Sequence, residues 1–310
     1  MRYLILAPVL VLFVACGKQV SPETITPESY EVKTISFSLK PYLINEDGPG
    51  TKISLQSNGE FFWASTDTIG VYPNVGSQVY FVPSTSGNAT VASFDGGGWG
   101  FRSGSEYKYY SYYPFIGNIY LDRTCIPIVY TGQKQNGTST SGHLSNYVLM
   151  WSHGEKTANA VNFNYNYLNA IIRPNLTLPA GTYTKLAITA PSNVFAIKAH
   201  YDLTEETPVI VADELSNQIQ IDLENITIAD NTQFYVYLMS NPVNLQGQNI
   251  TVSVLNSSKK ELQCVKTPSK NYEAGQLYGL GCSSWTEVPQ SMGLIIDDWG
   301  DGGNLGGDAE

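Results

Sequence analysis

Along almost the whole chain, short apolar runs with a period of two recur, each closed by a cluster of turn residues, and this pattern narrows the fold more than any other feature. Ile35, Phe37 and Leu39 alternate with Ser and Lys, NEDGPG at Asn45 to Gly50 breaks the run, and Ile53 and Leu55 resume it. EFFWASTDTIGVYP, from Glu60 to Pro73, then joins two aromatic and β-branched runs through a Ser/Thr/Asp link. Side chains of that kind suit a pleated, half-buried surface, so a strand, a tight connection and a second strand are expected there. Further strands are expected at Gln78 to Val82, Thr90 to Phe94, Tyr107 to Phe115 and Tyr147 to Trp151. Beyond these the pattern continues through Ala160 to Leu178, Tyr183 to Ile188, Val194 to Ala199, Val209 to Val211 and Ile219 to Leu223. Phe234 to Met239, Ile250 to Leu255, Leu262 to Val265 and Leu277 to Cys282 complete the series. No stretch keeps a helical period beyond two turns, so the chain is all-β, and its turn spacing is that of antiparallel sandwiches.

The 310 residues suffice for two medium domains. Charged residues make up only 14% and aromatics 12%, with 21 Tyr, a balance that fits an all-β surface protein. A net charge of −10, with basic residues scattered, argues against nucleic acid, since few phosphate counterions would be released. Residues 1–15 have a positive start and an apolar run too short to span a bilayer. Phe13-Val14-Ala15-Cys16 places a small residue directly before a cysteine, as in a bacterial lipobox, and an ordinary signal peptide that happens to contain Cys is the alternative. Cys16 is read as a lipid anchor to the membrane, its acyl chains each adding about 0.8 kcal/mol per buried CH₂. Residues 16–30 then form a polar tether.

Of the remaining thiols, Cys264 and Cys282 either face each other across a hairpin turning near Tyr272-Glu273 or, with Cys125, are buried free cysteines. No paired Cys/His spacing supports a metal site, and no cofactor is expected. His143, His153 and His200 belong to no ligand motif and read as surface histidines. No G-x-S-x-G elbow is present, and GGGWG at 96–100 lacks the Lys-Ser/Thr of a phosphate loop. DDWGDG at 297–302 has Trp299 where a calcium loop needs an oxygen, which leaves an acidic tail. YKYYSYYPF, Tyr107 to Phe115, is either a stacking platform for sugars or bases or a strand covered on both faces.

Several of these segments, in order, resemble the fimbrillin family, the pilus subunits and pilus-like lipoproteins of Bacteroides-type bacteria. The match runs through Trp63 with the Asp67-containing link and Ile69-Gly70-Val71-Tyr72, and through Tyr112-Tyr113-Pro114-Phe115. It continues through YVLMW at Tyr147 to Trp151, AVNFNYNYLNAIIRPNLTL at Ala160 to Leu178, and the Ile296-to-Trp299 tail with its Gly/Asp end. A His common in the family's Ala160-to-Leu178 strand is absent. The resemblance implies two antiparallel β-sandwich, transthyretin-like domains in series: residues 31–156 and 157–285, with an extension at 286–310. It also implies a non-enzymatic, lipid-anchored protein of the outer membrane surface, a pilus subunit or accessory adhesin whose partners are other pilus subunits and host or bacterial surface ligands. A monomeric glycan-binding surface lipoprotein is the second reading.

Family members assemble by strand complementation, for which Leu294, Ile295, Ile296 and Trp299 are the candidate donated strand. The arginine at which polymerising members are cut after their first strand has no counterpart, because none occurs between Cys16 and Arg102. Lys40 is the candidate substitute site, though Pro41 follows it. Asp67-Thr68-Ile69 resembles the pattern on which these bacteria attach O-glycans, which makes Thr68 a candidate glycosylation site, and a chance match is the alternative.

Overall fold

The computed structural model describes residues 34–39, 43–45, 63 and 67–288, with gaps at 85–90, 97–99, 103, 105, 118–121 and 157–159. In chain order its strands begin with β1 (Thr34–Leu39), β2 (Leu43–Asn45), β3 (Ile69–Pro73), β4 (Val79–Pro83), β5 (Val91–Asp95), β6 (Tyr109–Tyr113) and β7 (Ile126–Val129). Next come β8 (Lys134–Asn136), β9 (Met150–Lys156), β10 (Ala160–Tyr167), β11 (Ala170–Leu178), β12 (Gly181–Thr189), β13 (Phe195–Tyr201) and β14 (Val211–Ser216). The series ends with β15 (Gln218–Ile228), β16 (Thr232–Tyr235), β17 (Leu238–Ser240), β18 (Ile250–Asn256), β19 (Glu261–Lys266), β20 (Gln276–Cys282) and β21 (Thr286–Val288). The protein is all-β, as the period-two pattern requires, and most of its ladders are antiparallel.

Seven strands close into a barrel in the order β1-β10-β9-β6-β3-β4-β5. Its interior is aromatic. Trp63, Phe81, Phe101, Phe163 and Tyr165 are all essentially inaccessible. Gly70 lies opposite Tyr112 in the β3–β6 ladder, and a Cβ there would sit 2.1 Å from that ring, which explains the glycine within IGVY. The small sheet β14-β13-β7 contributes Tyr201, Ala199, Ile126 and Ile128 to the same core.

The second core lies between a five-stranded sheet, β16-β11-β20-β2 with β17 also on β11, and a six-stranded sheet, β21-β19-β18-β12-β15-β8. Alternation splits the five-stranded sheet between the two cores. Ile172, Leu238 and Tyr278 point into the second core, while their neighbours Ile171, Met239 and Leu277 point into the first. The two units therefore share a layer.

Two sequence expectations change here. Ala160 to Leu178 is not one strand of the second unit. β10 pairs with β9 and β1 in the barrel, and the break falls at Leu168-Asn169. Asn169 is fully buried, and its side chain takes the Leu149 N–H and donates to Tyr147 O, so a polar residue at a crossing point sits inside an apolar run. The domain boundary expected between residues 156 and 157 falls between β9 and β10, which pair with each other in the barrel. The C-terminal extension also starts later than residue 286, because β21 pairs with β19.

Candidate functional site

β1 is the closing stave of the barrel. It runs parallel to β10, from Thr34 opposite Ala160 to Leu39 opposite Tyr165, and antiparallel to β5, with Ser36, Phe37 and Ser38 opposite Ser93, Ala92 and Val91. Without it the remaining six strands form an open sheet edged by β10 and β5, each with a row of unpaired N–H and C=O groups. The residues flanking the slot are apolar and face inward: Ala92 and Phe94 on one side, Val161, Phe163 and Tyr165 on the other. Beneath them stands Trp63, whose ring meets Phe94, Tyr113 and Tyr165 edge-on at 5.0, 5.6 and 5.5 Å. A groove with main-chain donors on both rims and alternating apolar pockets is the geometry that binds an extended strand.

A second device covers the edge of the five-stranded sheet. Pro174 in β11 has no N–H, so the ladder is interrupted opposite it and the partner divides into β16 and β17. The outward groups of that interrupted edge are taken by two buried glutamines beside and within β8. Gln133 donates to Met239 O and accepts Met239 N–H, both at 2.8 Å. Gln135 donates to Tyr235 O and accepts Tyr237 N–H, both at 2.9 Å. Their two-residue spacing matches that of Tyr237 and Met239, so side-chain amides replace the backbone of a missing strand. β8 itself pairs with β15, so one short segment pins both sheets. These glutamines were invisible as site residues in the sequence, where Thr131 to Gly142 reads as a polar loop. The only signal was an amide recurring with period two.

The histidines are half-buried rather than on the surface, and each is held. His153 Nε2 bonds Leu203 O at 3.0 Å, and His200 Nδ1 bonds Asp213 Oδ1 at 2.7 Å. His143 Nε2 bonds Tyr237 O at 2.9 Å, and burial lowers its pKa below the usual 6.5. A depressed histidine pKa favours the neutral form in the folded state, so its stabilising contribution is complete above pH 6.5 and is lost as pH falls through the folded value. The thermal midpoint is therefore expected to drop between about pH 7 and 5, and His143→Gln to flatten that slope, as a calorimetric pH series would show.

YKYYSYYPF proves to be a covered strand rather than a platform. Tyr109, Tyr112 and Tyr113 are buried, and Tyr110 packs against His153. A cleft of roughly 490 Å³ lies where the units meet, between Trp151 and Tyr167 on one side and Pro208, Val209 and Pro242 on the other. Thr68 is half-buried at the entry to β3. Its carbonyl accepts Phe115 N–H, and neighbouring Asp67 accepts the Tyr113 hydroxyl. Cys264 and Cys282 are buried free thiols on different sheets, not across a hairpin, because sequence neighbours β19 and β20 do not pair. Cys125, expected inside, is exposed. Cys16, Lys40, Leu294, Ile295, Ile296 and Trp299 lie outside the described residues. Among the described residues, no three His, Cys, Asp or Glu side chains gather as a metal would require.

Solved structures with a similar fold come from Bacteroides and related bacteria. A candidate cell adhesion protein of Bacteroides ovatus superposes with a TM-score of 0.53 at 14% identity, covering 84% of this chain and 97% of the other. A second candidate cell adhesion protein, from Bacteroides fragilis, gives 0.46 at 10% identity over 86% and 100%. A tip fimbrial protein of Porphyromonas gingivalis gives 0.38 at 10% identity over 72% and 92%. At such identities the likeness is one of fold. No protein-family profile matches the chain. No curated protein matches it either.

Proposed function

We propose that this chain is a fimbrillin-type surface protein, anchored through lipid on Cys16 at the outer membrane, that serves as an accessory or terminal pilus component and keeps its first strand. The observation that carries this reading is β1, a stave held by one parallel and one antiparallel neighbour, whose place in the barrel is the slot that strand complementation requires. While β1 fills the slot, the chain accepts no strand from a neighbour. It can still donate one through Leu294, Ile295, Ile296 and Trp299, which follow β21 after a short link. Its partners are then other pilus subunits, and host or bacterial surfaces are what it adheres to. The role is structural, with no catalytic step.

The missing arginine and the Lys40-Pro41 sequence support retention, because trypsin-like proteases cut poorly before proline. Terminal sequencing and intact mass of the surface-exposed form test it. The expected terminus is an acyl-blocked Cys16. A new terminus at Pro41 would overturn retention of β1, and an unacylated chain that starts elsewhere would overturn the anchor.

A further inference from the structure

We infer that Cys264 and Cys282 form a disulfide that ties together the two sheets around the second core, closing as the chain folds in the presence of a disulfide donor. Cys264 sits on β19 of the six-stranded sheet opposite Val252, and Cys282 ends β20 of the five-stranded sheet opposite Leu176. The two strands share no ladder, yet both thiols are buried in the one core between the two sheets, and Cys264 adds to burial in raising the Cys282 thiol, as a near neighbour would. Facing sheets usually stand about 10 Å apart, farther than a disulfide reaches, so the contact needs a pinch between them.

The chain supplies that pinch. Immediately after Cys282, Ser283 to Trp285 carry it out of the five-stranded sheet, and Thr286 is already opposite Gln263, the neighbour of Cys264. Trp285 fixes the crossing from the other side, its indole N–H donating to Thr177 O of β11 at 2.7 Å. Both cysteines are almost inaccessible, while Cys125 is exposed and belongs to the other unit. Wrong pairing in the folded state is thereby blocked. Burial also raises the Cys282 thiol well above its ordinary range, so exchange is slow once the fold is complete.

The step balances as one exchange. Cys264–SH and Cys282–SH react with a disulfide R–S–S–R, a small molecule or an oxidised dithiol protein, to give the Cys264–Cys282 bond and two R–SH. Two electrons and both protons leave with the donor. The inference gains biological weight from the surface location proposed above, but its chemistry does not depend on it.

The test is to refold the full chain from denaturant in oxidised and reduced glutathione, alkylate, digest and map by mass spectrometry. The expected products are a linked Cys264–Cys282 peptide pair and alkylation at Cys125. The oxidised protein is also expected to lose several degrees of thermal midpoint on reduction, a loss that Cys264→Ala does not show. Alkylation of both Cys264 and Cys282 after oxidative refolding, or a bond from either to Cys125, overturns the inference. A bond that forms on refolding but is absent from protein trapped in cells upholds the inference and overturns the surface location.

Discussion

Trp63→Ala is expected to lower the unfolding free energy by about 3–5 kcal/mol, the range for deleting a large buried aromatic side chain. Trp63 is 1% exposed and is the meeting point of rings from β5, β6 and β10, so the cavity left would open against three strands at once. Such a site relaxes poorly, because each ring is fixed by its own ladder. Trp63→Phe separates packing from polarity. The indole N–H is buried without a hydrogen-bond partner among the described residues, and phenylalanine removes that orphan donor while keeping an aromatic ring. Its cost should therefore be well under half that of alanine. Urea denaturation of the three proteins would decide, and equal losses for Phe and Ala would show that the ring packing described here is not what Trp63 contributes.

Removing the glutamine latch should be nearly as damaging. Gln133→Ala with Gln135→Ala strips partners from Met239 N–H and C=O and from Tyr237 N–H, while Tyr235 C=O keeps the Ser139 N–H at 3.2 Å. Buried groups left unpaired cost about 1–3 kcal/mol each, so even partial rescue by water leaves a loss of several kcal/mol. Hydrogen exchange gives a local readout. The Tyr237 and Met239 amides should exchange faster in the double variant before global unfolding changes their neighbours in β11. Unchanged protection at those two amides would refute the latch.

Much of the fold was legible because alternation records burial. Strands such as β5, β12, β15 and β18 lie close to where period-two runs place them. Failures occur where burial and apolarity part company. β8 reads as loop in the sequence because the side chains turned inward there, Gln133 and Gln135, are polar, and their partners Met239 and Tyr237 lie more than a hundred residues away. β7 gives no clear strand signal in the sequence because Pro127 interrupts a short run. The β10–β11 break is hidden in the sequence because Asn169, which marks the crossing, follows Asn162, Asn164 and Asn166 and reads as one more polar residue of an alternating strand. The Cys264–Cys282 hairpin failed because strands adjacent in sequence need not be adjacent in a sheet.

The candidate site was legible only in part. Trp63, Ile69 and Val71 stand out by composition, and all three are buried in the first core. That β1 closes the barrel depends on its pairing with β10, more than a hundred residues later, and no local pattern carries that information.

The direction of β1 also governs how the molecule bears load. Its hydrogen bonds to β5 and β10 run across the strand, and both rows lie along the same short length. Tension drawn along the strand from the chain ahead of Thr34 strains the two rows in shear, so they yield together rather than peeling one bond at a time. Tension drawn sideways would unzip the same strand from its end. One strand can thus be strong against a pull along its length and weak across it.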